Sequence, residues 1–290
     1  MLRLSAILVN YNAGPELRRA LQSVADEAGA HEWEAWVIDN GSVDGSASIA
    51  EEFAPRVRLV RNDENVGFAR GVNQGLVAAS APFVLIMNPD CRLEAGALAS
   101  LERELALHER CAIVGPRILN PDGSVQGSAR GDPDMFTGLF GRTTLLRRLL
   151  PGLSVSQRNV VGDDASGSDQ TSVIVDWVSG ACMLARRDAL SRVGGFDERY
   201  FLYWEDADLC RRLRAGGHHV RYAPGATAVH RVGQSSRTAR ASSIRAFHDS
   251  AFLYYTTHVA PGRRHPKRAL ARLLLTARCW WQTRAVARRL

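Results

Sequence analysis

The chain has 290 residues, 46% hydrophobic and 23% charged, the balance of a soluble globular protein with room for one large domain or two small ones. Five scattered cysteines without CxxC spacing argue against a disulfide framework or a structural zinc site and point to a reducing cytoplasm, and no stretch approaches the roughly 18 apolar residues of a membrane-spanning helix. The net charge of +7 divides unevenly, because residues 1–208 carry 29 acids against 20 Lys and Arg whereas residues 209–290 carry 17 Lys and Arg against one acid, Asp249.

MLRLSAILVNYN holds an apolar run that stops at Asn10, Tyr11 and Asn12, which reads as a first buried strand and not as a signal peptide. A helical stretch from Pro15 to Ala28 follows, then the apolar run EAWVIDNGS ending in Asp39. The alternation continues with a helix over Ser46–Phe53, a strand at VRLVRN, a helix over Gly67–Ala79 and a strand at PFVLIMNPD. Strands alternating with helices predict a mostly parallel sheet with helices on both faces, an α/β fold. Ligands of such sheets bind beyond the carboxyl ends of the strands, where this chain places Asn10, Tyr11, Asp39, Asn62, Asn88 and Asp90.

Glu94–His108 predicts another helix and CAIVGPRIL a strand. Residues 120–173 form a long connection with one basic apolar patch, GLFGRTTLLRRLLPGL, and a connection of that length is functional or mobile. Order returns at VIVDWVSGACMLARR, then a Gly194–Gly195 turn, a helix over Asp206–Ala215 and HVRYAPGATAVH as strand, turn and short strand.

The chain has neither GxxxxGK[ST] nor a GxGxxG after the first strand, so the common phosphate loops are missing. Asn88–Pro89–Asp90 is good turn chemistry; an acid at a strand end beside a diphosphate also suits Mg²⁺ or Mn²⁺. YFLYWEDADLCRR crowds Glu205, Asp206 and Asp208 behind four aromatic residues. Acids at a helix start are stabilised by the helix dipole, while a carboxyl desolvated by aromatic walls becomes a better general base. His230 ends a strand and reads as an ordinary histidine or as a metal ligand.

Together VNYN, VIDNGSVDGS, NVGFARGVNQG, MNPD, DWVSGACMLARR, VGGFDERYFLYWEDADLCRRLRAGG and PGATAVH resemble the family 2 inverting glycosyltransferases of GT-A fold, in the rhamnosyltransferase branch, over about residues 4–235. The resemblance implies a Rossmann-like GT-A domain with a nucleotide-sugar half (1–119), the connection (120–173), an acceptor half (174–235) and a C-terminal helical tail (236–290). It implies that Tyr11 and Asp39 contact the base, that Gly67, Arg70, Asn73 and Asn88 line the donor, and that Asp90 and His230 bind the divalent cation, Mg²⁺ or Mn²⁺. Asn88 stands where the family's DxD has its first acid. Trp177, Trp204 and Glu205 would meet the acceptor, Asp206 would act as the base, and Asp208 would be a helix-start charge. The implied reaction moves a sugar, L-rhamnose first among candidates, from a dTDP- or UDP-linked donor to a glycan or polyprenyl-linked glycan. Galactofuranose and N-acetylglucosamine donors share the motifs, and a non-catalytic binding module is the rival from another class.

Residues 265–290 carry seven Lys and Arg and no acid, with Leu270, Leu273, Leu274, Ala277 and Trp281 near one helical face. This reads as an interfacial helix drawn to anionic lipid, which would place the protein peripherally on the inner face of the cell membrane, or as a solvated basic tail. A nucleic-acid partner is not expected, since the sequence offers the charge but no reading surface.

Overall fold

The computed structural model of the chain describes residues 3–29, 32–132, 171–231, 240–262, 265 and 267–287. The basic apolar patch at 138–153 lies outside these. Strand β1 (Leu4–Asn10), buried throughout, runs parallel to β2 (Trp33–Asp39) on one side and β4 (Phe83–Met87) on the other. A strand covered on both faces needs a near-continuous apolar run. LSAILVN supplies it, and the one polar interior residue, Ser5, donates its hydroxyl hydrogen to buried Glu34 at 2.8 Å.

The main sheet adds β3 (Val57–Arg61), β5 (Cys91–Leu93), β6 (Cys111–Leu119), β11 (Cys182–Arg186) and β12 (His219–His230). Its order is β3-β2-β1-β4-β11-β6-β12-β5, with β7 (Val125–Gln126) beside β6 and β9 (Val173–Val175) beside β12. A separate pair joins β8 (Ala129–Arg130) to β10 (Trp177–Val178). Successive side chains of β1 go to opposite cores. Leu4, Ala6 and Leu8 pack with α1 (Glu16–Ala28) and α3 (Ala97–Leu107); Ile7 and Val9 pack with α2 (Phe68–Ala78), α4 (Arg187–Arg192) and α5 (Glu205–Ala215). Gly71 and Gly75 let α2 lie close on β1, since a Cβ there would stand 2.9 Å from Val9 and 2.5 Å from Ile7.

The structure differs locally from the expected elements in three places. Residues Ser46–Phe53 form a 3₁₀ helix. Short β5, β7 and β8 occur in segments too brief to show periodicity; β5 and β8 form by pairing with strands remote in sequence, and β7 by folding back on β6. His219–His230 is one strand, in which the Pro224–Gly225 segment shifts the register against β6 between Ala223 and Thr227 and does not end it.

Beyond the sheet, α6 (Arg240–Tyr254) continues into a π-helical turn, Tyr255–Val259, and α7 (Lys267–Ala287) packs along α6. No helix among the described residues is long and apolar enough to cross a membrane.

Candidate active site

The topology brings distant motifs to one sheet edge. β1, β2 and β4 end there at Asn10, Asp39 and Met87, and the antiparallel β11 begins there, Cys182 opposite Met87. The loop before β11 is therefore delivered to the same edge. β12 ends there too, with His230 paired to Cys91 of β5. That pairing sets His230 against Asp90 across 140 residues of chain, and the Arg231 N–H bonds the Asp90 carbonyl at 2.9 Å.

On the donor side, Asp39 is 3% exposed and accepts from the Asn10 amide at 2.7 Å and the Ser42 N–H at 3.1 Å. Asn10 also reaches the Ser42 and Ser46 hydroxyls. A carboxylate has about four lone-pair sites, so Asp39 is fixed in place and retains acceptor capacity toward a base. Tyr11, half-buried, follows on the β1 side of this cluster. Arg70 is exposed and stands 4.0 Å from Glu198.

Two residues expected to line the donor are engaged elsewhere. The Asn73 amide donates to the Phe196 carbonyl and Glu198, and its oxygen accepts the Phe196 N–H. At Gly67 (φ 90°) a Cβ would stand 2.6 Å from the Phe201 carbonyl, which accepts the Phe68 N–H at 2.7 Å. The start of α2 thus holds the 194–204 loop, and the first N–H of that helix is already bonded.

That loop feeds the acids. Tyr203 and Trp204 both have left-handed φ, 68° and 71°, and turn the chain sharply into α5. Asp206 is half-buried; its Oδ2 accepts the Gly180 N–H at 2.9 Å and its Oδ1 the Ala207 N–H at 2.8 Å. The Ala181 carbonyl accepts the Asn88 N–H at 2.9 Å. Adjacent residues of the SGA loop thus tie the acid of α5 to the Asn-Pro-Asp turn.

Glu205 is 5% exposed, and one of its carboxyl oxygens has no hydrogen-bond partner among the described residues. Burial, and then the neighbouring Asp206 and Asp208 charges, push its carboxyl well above the ordinary range. Its burial leaves little surface for the expected contact with an acceptor. Trp204 packs on Phe247 and Tyr254 of α6. The Trp177 indole donates to the Gly131 carbonyl and has Arg130 over its ring. Asp208 lies in the first turn of α5, the helix-start acid expected, and is also 1% exposed and bonded to both Arg212 and His258 at 2.7 Å.

Asp90 and His230 fit a divalent cation. His230 Nε2 lies 3.2 Å from Asp90 Oδ1 and 3.3 Å from the Asn88 amide nitrogen, and two ligands at right angles about a cation with bonds of 2.0–2.1 Å stand about 2.9 Å apart. Among the described residues no three His, Cys, Asp or Glu gather as a metal cluster. A pair of protein ligands matches sites in which phosphate oxygens and water complete the shell.

Motif reading did not find Gln126, His258 or the part played by α6, and although it placed Asn10 at the sheet edge and Gly180 within DWVSGACMLARR it gave neither a role. Gln126 lies in the unpatterned connection and α6 beyond the motifs; their roles exist only through contacts across the fold.

Residues 5–194 match the family described as glycosyl transferase family 2. The chain is 33% identical, over 99% of its own length and 94% of the relative's, to the N-acetylglucosaminyl-diphospho-decaprenol L-rhamnosyltransferase of Mycobacterium tuberculosis. Among solved structures it resembles GalNAc-T7 with UDP, GalNAc and Mn²⁺ (TM-score 0.63, 14% identity, 94% of this chain and 54% of that one). It also resembles the mannosyltransferase PcManGT of Pyrobaculum calidifontis with GDP-Man and Mn²⁺ (TM-score 0.56, 18% identity, 95% and 73%). At these identities the likeness is one of fold.

Proposed function

The chain belongs to glycosyl transferase family 2, and from that premise we propose that it transfers L-rhamnose from dTDP-L-rhamnose, with inversion, to a hydroxyl of a polyprenyl-diphosphate-linked N-acetylglucosamine. The identity with the mycobacterial rhamnosyltransferase runs nearly end to end, which supports donor and acceptor alike. The mechanism rests on one observation, the link from the Asn-Pro-Asp turn through Ala181 and Gly180 to Asp206.

In this reading Asp39 and Tyr11 receive the base, and Asp90 with His230 holds Mg²⁺ or Mn²⁺, which when bound neutralises charge on the leaving diphosphate. Asp206 takes the proton of the acceptor hydroxyl as that oxygen bonds to the anomeric carbon and the bond to the diphosphate oxygen breaks. One displacement on the face opposite the leaving group inverts the centre. The Gly180 and Ala207 N–H groups fix the carboxylate's orientation. Glu205, buried and with its carboxyl pushed up by that burial, precedes Asp206 in the first turn of α5.

α7 gives the enzyme a membrane-facing side. Ala271 and Leu275 are buried, while Leu270, Leu273 (66% exposed), Leu274 and Trp281 (63%) face outward beside Lys267 and Arg268. Apolar side chains rimmed by cations suit an anionic bilayer surface, where a polyprenyl-linked acceptor resides; the protein would then be peripheral on the cytoplasmic face.

The direct test is a donor panel (dTDP-rhamnose, UDP-galactofuranose, UDP-N-acetylglucosamine) with the lipid-linked acceptor and Mn²⁺. Rhamnose transfer should dominate and vanish in Asp90→Ala; faster transfer from another donor refutes the rhamnose assignment, and undiminished turnover in excess chelator refutes the metal.

A further inference from the structure

We propose that Gln126 is a positioning residue that selects the metal-binding tautomer of His230. The inference builds on Asp90 and His230 as cation ligands. Gln126 lies on β7, the strand that folds back along β6 after a tight turn, with Ile118 opposite it. From there its side chain meets His230 twice. Its amide nitrogen donates to the His230 carbonyl at 2.8 Å and to Asn120 Oδ1 at 2.8 Å, and its Oε1 lies 3.1 Å from His230 Nδ1.

The His230 carbonyl can only accept, so it fixes which end of the Gln126 amide faces it. With both amide hydrogens donated, Oε1 is the end left for Nδ1, and an oxygen acceptor there requires a proton on Nδ1. In the neutral ring this leaves Nε2 with a lone pair directed at the Asn88 amide and Asp90 Oδ1, 3.3 and 3.2 Å away. The Asn88 amide nitrogen can donate to that lone pair, whereas Asp90 Oδ1 opposes it with a lone pair of its own, a repulsion that a cation bound by both relieves. The opposite tautomer would point an N–H at the cation and leave no ligand. Metal-bound histidines commonly have the second ring nitrogen fixed by an acceptor in this way.

The Asn120–Ser124 turn that carries Gln126 is itself closed by the Asn120 amide on Ser124 Oγ and by the Ser124 side chain on Asp122. The orienting oxygen is therefore held on a braced hairpin. Gln126 is half-buried and His230 has 12% of its side chain exposed, so bulk water competes little for Nδ1.

Gln126→Glu and Gln126→Met separate positioning from hairpin support. Both lose the two donated hydrogen bonds; only Glu keeps an acceptor for Nδ1–H. Mn²⁺ affinity of the full-length protein would be read from loss of the free-ion EPR signal with UDP present. Gln126→Met should weaken it by about 10- to 100-fold while Gln126→Glu stays within about threefold of wild type, although thermal unfolding shifts alike in both. Equal Mn²⁺ affinity in the two variants, or a weaker Glu variant, overturns the proposal. The second reading needs no metal. Ring ¹⁵N shifts of His230 at about pH 9, above the ordinary histidine range, should report a proton on Nδ1 in wild type; a proton on Nε2 overturns the proposal too. Failure of wild type to take up Mn²⁺ with the Nδ1 tautomer intact would instead reject the metal reading and leave Gln126 as the group that orients the ring.

Discussion

At Asp206 two backbone N–H groups hold the carboxylate at the sheet edge, whereas Glu205, one residue earlier, is buried with an oxygen that has no partner among the described residues. The two acids therefore serve different ends. Asp206→Asn keeps the size of the side chain but removes the proton acceptor, so kcat should fall by roughly 10²–10⁴-fold with donor affinity unchanged; near wild-type turnover would refute Asp206 as base. Glu205 makes a prediction about pH. Its carboxyl, raised above 4.5 by burial and then by Asp206 and Asp208, holds its proton more tightly in the fold than in the unfolded chain. Its contribution to stability is complete below about pH 4.5 and is lost as pH rises toward and through the folded value. Glu205→Gln cannot ionise, so the variant should gain on wild type in denaturant titrations as pH increases, and a difference that stays constant with pH would mean that Glu205 is solvated.

The element that carries these acids, α5, is anchored at its first turn from outside. Asp208 accepts from Arg212 on its own helix and pairs with His258 of the π-helical turn after α6, while Arg211 donates to Tyr254 Oη and the His258 carbonyl. Removing the acid of a buried ion pair leaves its Arg212 partner uncompensated, at a cost of about 3–5 kcal/mol. Asp208→Asn should therefore lower stability by about 3 kcal/mol, far more than the few tenths to 1 kcal/mol of an exposed helix-start charge. Urea unfolding decides between them. The 200–204 loop before α5 is held similarly from two sides, by the Phe68 N–H on Phe201 and by Ser250 Oγ on the Leu202 carbonyl, which lets Tyr203 and Trp204 keep left-handed backbone that ordinarily disfavours residues with a Cβ.

For the whole molecule, α6 and α7 have separate duties although both lie in the basic C-terminal region. α6 contributes Phe247 and Tyr254 to the aromatic cluster around Trp204 and Tyr200, so it belongs to the packing that supports the site. α7 rests on α6 and presents its apolar, basic face outward. Truncation after Pro261 should abolish binding to anionic vesicles yet spare turnover of a short water-soluble acceptor. Truncation after residue 235 should destroy turnover as well, since it strips the support of the loop before Asp206. Vesicle binding that survives loss of α7 would move the membrane contact elsewhere.

Much of this was legible in the sequence, because strands buried on both faces demand apolar runs and helices packed on a sheet demand apolar residues at helical spacing; LSAILVN and ELRRALQSVADEA declare β1 and α1 without further help. The strand-end residues Asn10, Asp39, Asn88 and Asp90 could be placed on one edge because a parallel sheet puts all its carboxyl ends there. What needed the tertiary structure was everything decided by partners remote in sequence. Asn73 looks like a donor-lining group and Asp208 like a simple helix-start charge in isolation, yet each is engaged by distant segments, Phe196 and Glu198 for one and His258 for the other. Gln126 shows the reverse, a residue in an unpatterned connection that gains its role only when β7 folds back beside the end of β12. Periodicity and composition record how each segment meets solvent or core, whereas hydrogen-bond partners depend on which segments the sheet order brings together.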